Sequence, residues 1–112
     1  IPNIEIVAVE PYECPTISEG ESRPHLIQGI GAGFIPQTLD KNSYDQVIKI
    51  KGEEAVAMTK KLATDYGLLV GVSAGANVLA SIVMAKQLNK GDKVVTILCD
   101  TGERYLSTGI FS

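Results

Sequence analysis

Apolar and polar positions divide the chain into short blocks with two different periods. Residues 4–9, IEIVAV, are almost wholly apolar and rich in β-branched side chains, and Glu10-Pro11 closes the run. That predicts a buried strand. QVIKI at 46–50 predicts a short strand, and LLVGV at 68–72 and VVTILC at 94–99 predict two more. Between these blocks the period lengthens. Over 52–66, Ala55, Met58, Leu62 and Tyr66 fall on one helical face, Glu53 and Glu54 sit in the first turn, and Gly67 follows as a C-terminal cap. A second helix is predicted over 74–88, with Ala76, Leu79, Ala80 and Val83 on one face. Pro11, Pro15, Gly20 and Pro24 make 11–24 an irregular loop, NKGDK at 89–93 a turn, and 102–112 a short helix or irregular tail.

Apolar strands alternating with helices predict an α/β chain with a parallel sheet, which must be covered on both faces. Two helices are thin cover for such a sheet. The chain also opens on Ile1 directly before a strand-like run, so a piece of something longer is expected.

Composition narrows the function classes. A net charge of −3 and no basic stripe with interleaved aromatics argue against nucleic-acid binding. No apolar run approaches the roughly 18 residues of a membrane span, and no basic-then-apolar leader is visible. Two cysteines, Cys14 and Cys99, read as ordinary thiols in a reducing, cytoplasmic setting rather than as a disulfide framework or a metal site.

The candidate chemistry centres on GVSAG, residues 71–75. It matches the nucleophile elbow of serine hydrolases, with a strand before it and a helix after. That chemistry needs a base later in the chain, and the one histidine, His25, lies upstream. Ser73 could instead cap the helix. Neither role explains why Ala74, Gly75 and Ala76 crowd the first turn, and a planar group packed against the backbone there would. A second glycine-rich stretch, Gly29 to Gly33, suits either a tight turn or close approach of another group. His25 reads as a structural histidine.

Three stretches, in order, carry a resemblance: RPHLIQGIGAGFIP at 23–36, GLLVGVSAGANV at 67–78 and VVTILCDTGERYLST at 94–108. Together they resemble the last third of the cysteine synthase (O-acetylserine sulfhydrylase) family. The resemblance implies a three-layer αβα parallel sheet, with residues 1–112 as the C-terminal segment of the large domain of a fold-type II pyridoxal phosphate enzyme. It implies that Ser73 binds the cofactor by donating a hydrogen bond to the pyridine nitrogen. A neutral hydroxyl there leaves the ring nitrogen unprotonated, which suits elimination of a good leaving group. It implies that Gly29 lines the substrate cleft, that Gly31 and Ala32 belong to an anion-binding region near a dimer interface, and that Thr101 stands behind the ring. Cys99 and Asp100 depart from the family's usual residues.

The same resemblance sets the expected reaction. Acetate is eliminated from O-acetylserine and sulfide is added, giving cysteine; cystathionine β-synthase is the neighbouring alternative, and a non-catalytic partner-binding relative is another. A homodimer is implied, and the C-terminal tail of serine acetyltransferase is a further partner. The family's Schiff-base lysine, substrate-carboxylate loop and phosphate cup precede this segment in its relatives. None of the eight lysines here sits in a matching motif. No catalytic residue is therefore assigned within the chain.

Overall fold

The computed structural model describes residues 3–111. Its elements run β1 (Val7–Pro11), α1 (Thr16–Glu19), β2 (Gln46–Ile50), α2 (Gly52–Tyr66), α3 (Val72–Ala85) and a 3-10 helix over Gly102–Thr108. Ile1, Pro2 and Ser112, which the segment 1–112 includes, lie outside the described residues.

β1 and β2 pair in parallel, with Val7 opposite Gln46 and Pro11 opposite Ile50. Only the second half of the expected 4–9 strand joins the ladder; Ile4 and Ile6 remain exposed. The 11–24 loop contains α1, which depends on Glu10. That carboxylate is 2% exposed and accepts hydrogen bonds from the Ile17 and Ser18 amides at 2.8 and 3.0 Å. It thereby satisfies N–H groups that a helix start otherwise leaves orphaned.

α3 lies against both strands and α2 lies against α3. Ile27, Ile50, Ala55, Val72, Ala76 and Ala80 form one buried cluster, with Val9, Ile30, Ile48 and Leu79 packed on it. A smaller cluster joins Leu62, Val70 and Ala74. The helix faces are narrower than their periods predict, because Tyr66 is 66% exposed and Val83 42%. The α3 helix begins two residues before the expected position and stops at Ala85.

Two expected strands do not form. At 68–72 there is a single antiparallel bridge, Val70 to Thr101, flanked by Gly71 N–H to Asp100 O at 3.2 Å and Gly102 N–H to Leu69 O at 3.0 Å. Residues 94–99 join no ladder. A strand needs a neighbour within about 5 Å. Here an open cavity of about 460 Å³ separates Val7 and Val9 of β1 from Val94, Val95 and Thr96. The segment is tied instead to α3, through Asn77 Nδ2 donating to Ile97 O at 2.9 Å. Val95 is left 90% exposed and Ile97 69%.

Candidate functional site

Gly71 is the N-cap of α3, and no side chain caps the helix. Ser73 therefore sits inside the first turn, which sets aside the capping role. The residue is 5% exposed, and its hydroxyl has no hydrogen-bond partner among the described residues. The oxygen is not among the fully buried side-chain atoms left without a partner, so it keeps some access to solvent and to an incoming group.

The small residues around Ser73 have a different cause from the one the sequence suggests. A Cβ on Gly75 would run into Thr59 and the Ala55 carbonyl of α2, so this glycine permits close helix–helix approach. Ala74 and Ala76 are fully buried in the two core clusters. No planar ligand is needed to explain them. Gly71 is likewise excluded from bearing a side chain, because the Asp100 carboxylate occupies that space.

Asp100 is a residue that sequence reasoning marked only as a departure. Its Oδ2 accepts from the Tyr105 hydroxyl at 2.7 Å, while Oδ1 is buried with no partner. The Val70–Thr101 bridge places this turn beside the start of α3. Asp100 Oδ1, buried without a partner among the described residues, thus belongs to the turn that adjoins Ser73. Thr101 itself is exposed and is the N-cap of the 3-10 helix.

The glycine run lies elsewhere on the same core. Gly29 is exposed with φ +93°, and nothing lies within 4 Å of where its Cβ would stand. It lines an open cavity of about 680 Å³ with Ile17, Gly31, Ala32, Phe34 and Leu39. Ser73 does not line that cavity. The two stretches meet only through the core, where Ile27 and Val72 share a cluster and Ile30 packs on it. Glu10 is the one charged residue lining the cavity among those described, so its side chains supply no cation for an anion at Gly31 and Ala32.

Among the described residues no group of three His, Cys, Asp or Glu side chains is arranged to hold a metal. Cys14 is buried and Cys99 exposed, both as free thiols. The Thr16 hydroxyl, and then the Arg23 backbone, hold the Cys14 thiol below its ordinary value. Burial acts in the other direction.

Comparison with known proteins decides the family. The profile of the family described as "Pyridoxal-phosphate dependent enzyme" matches residues 1–100. The chain belongs to that family. It is 51% identical over 111 residues to a cysteine synthase of Staphylococcus aureus, covering 99% of this chain and 36% of the relative. Among solved structures, cysteine synthase from Entamoeba histolytica superposes with a TM-score of 0.92 at 41% identity, over 96% of this chain and 32% of that one. An O-acetylserine-dependent cystathionine beta-synthase from Helicobacter pylori gives 0.91 at 42% identity, over 100% and 36%. The chain thus spans about a third of the relatives it matches. The likeness establishes the α/β parallel-sheet fold of these enzymes, in which the two-stranded parallel sheet and its helices are one part.

A pyridoxal phosphate ring fits what this chain presents. The unpartnered Ser73 hydroxyl, inside the first turn of α3, is a neutral donor available to a ring nitrogen.

Proposed function

We propose that the chain is the C-terminal segment of the large domain of a cysteine synthase, which makes L-cysteine and acetate from O-acetyl-L-serine and sulfide. The observation that carries this reading is the 51% identity to cysteine synthase across 111 residues. When bound, pyridoxal phosphate supplies the electron sink for β-elimination and β-replacement.

The chain's own residues hold and shape. Ser73 would hold the ring through a hydrogen bond from its hydroxyl to the ring nitrogen, a neutral donor that would leave that nitrogen unprotonated. The first turn of α3 is fixed for this by Gly75 against α2 and by Gly71 against Asp100. Gly29, bare and open, leaves room for the amino-acid substrate. The Schiff-base lysine and the phosphate cup come from the rest of the enzyme, with which this segment assembles. A cytoplasmic homodimer that accepts the tail of serine acetyltransferase completes the proposal.

The Helicobacter pylori likeness favours one alternative, a cystathionine β-synthase that uses O-acetylserine. The test is product analysis of the intact parent enzyme, supplied with O-acetylserine and either sulfide or homocysteine. Cysteine as the preferred product supports the proposal. Preference for homocysteine selects the alternative, and no turnover with either leaves a non-catalytic binder.

A further inference from the structure

Both ring nitrogens of His25 meet backbone. The Ile27 amide donates to Nδ1 at 3.1 Å, and Nε2 lies 2.7 Å from the Gly31 carbonyl oxygen. An amide N–H only donates and a carbonyl only accepts, so the partners fix the ring's roles. Nδ1 carries the lone pair and Nε2 carries the proton.

The ring spans a short loop whose two ends are both immobilised. At one end Ile27 is fully buried in the cluster that contains Val72 and Ala76. At the other, Gly31 has φ +61°, and a Cβ there would lie 2.6 Å from Pro11 Cγ and 2.7 Å from His25 Nε2. Gly31 therefore has no substitute at this place. Between these ends stands Gly29, exposed, with φ +93° and open space around it. A side chain that grips the loop's base and leaves its apex free controls where the apex stands.

We propose that His25 is a positioning residue for the amino-acid substrate. By accepting from Ile27 while donating to Gly31, it sets the distance of the Gly29 apex from the substrate. This rests on the reading of Gly29 as part of the substrate cleft.

Two conservative replacements divide the grip. Asn at this place can accept from the amide two residues on, as in an Asx turn, but it is too short to reach Gly31. Gln can reach the Gly31 carbonyl as a donor while giving up the turn. In the intact, cofactor-loaded parent enzyme, His25→Asn is expected to raise KM for O-acetylserine about fivefold. That is one hydrogen bond of roughly 1 kcal/mol at about 1.4 kcal/mol per tenfold. The KM for sulfide, kcat and the dissociation constant of pyridoxal phosphate should stay within about twofold. His25→Gln should recover most of the lost KM. If both variants lower Tm and leave KM unchanged, His25 is structural only and the proposal fails.

Gly29→Val separates this failure from that of the cleft reading. If Gly29→Val raises KM for O-acetylserine and His25→Asn does not, only the role of His25 falls. If neither moves KM, the cleft reading falls and the proposal with it. Should the His25 variants not fold, long-range 1H–15N correlation on the wild-type enzyme reads the tautomer directly. A proton on Nε2 and a lone pair on Nδ1, kept when substrate binds, supports the grip; the reverse tautomer overturns it.

Discussion

The α2–α3 pair and the segment 94–99 are both rich in aliphatic residues, but only the pair finds partners for them. Gly75 lets the two helices approach until Thr59 touches the backbone of α3, and Ala55, Leu62, Ala74 and Ala76 are buried as a result. In the segment, Val95 and Ile97 remain 90% and 69% exposed across a cavity from β1. Apart from its ends, a helix closes its backbone hydrogen bonds within its own length, so what it chiefly lacks is a covering neighbour. A strand must borrow its hydrogen bonds from another strand, and an apolar pattern alone cannot supply them. The helical half of this chain is therefore locally determined, whereas the 94–99 segment takes its structure from whatever lies beside it.

Charge placed in the segment should separate the two regions most strongly. Val95→Asp is expected to change the stability of residues 1–112 alone by less than about 0.5 kcal/mol, because the side chain is already in water. In the parent enzyme, where the sequence leads one to expect this segment as a strand of a covered sheet, the same change leaves an uncompensated buried charge. It should cost about 3–5 kcal/mol by denaturant unfolding. Equal effects in the two settings would end the contrast. Gly75→Val should do the opposite, costing about 2–3 kcal/mol in both, since the clash with α2 lies within the chain. A loss confined to the parent enzyme would mean that the helix pair is not self-sufficient.

The smallest expected effect is at Ser73. Ser73→Ala removes one neutral hydrogen bond, so the parent enzyme should hold its cofactor about 1 kcal/mol less tightly and keep its fold. Titration with pyridoxal phosphate measures this. Abolished activity in Ser73→Ala, together with acylation of Ser73→Cys, would return the nucleophile reading of GVSAG.

Legibility followed the same divide. α2 spans 52–66 and β2 spans 46–50 as the pattern predicts, because each signal is local: acids in the first turn, Gly67 in the left-handed region with φ +68°, a short apolar run before a glycine. The family could be read from IQGIGAGFIP with GERYLST, and the profile over residues 1–100, which includes the first of these stretches, agrees. What could not be read depends on distant partners. Glu10 builds α1 from outside it, and His25 meets Gly31 across a loop. The small residues after Ser73 answer to α2, and their sequence looks the same whichever neighbour demands them. Among the described residues Val70 pairs only with Thr101, and residues 94–99 face a gap, so two apolar runs predicted as strands lack a ladder.

Amide hydrogen exchange at residues 94–99 tests the central claim most directly, compared between residues 1–112 alone and the intact parent enzyme. The account predicts that these amides exchange almost as fast as an unfolded chain in the isolated segment, while α2 and α3 stay protected, and that they become protected in the parent enzyme. Protection of 94–99 equal in both settings, or loss of protection across α2 and α3 in the isolated segment, would contradict it.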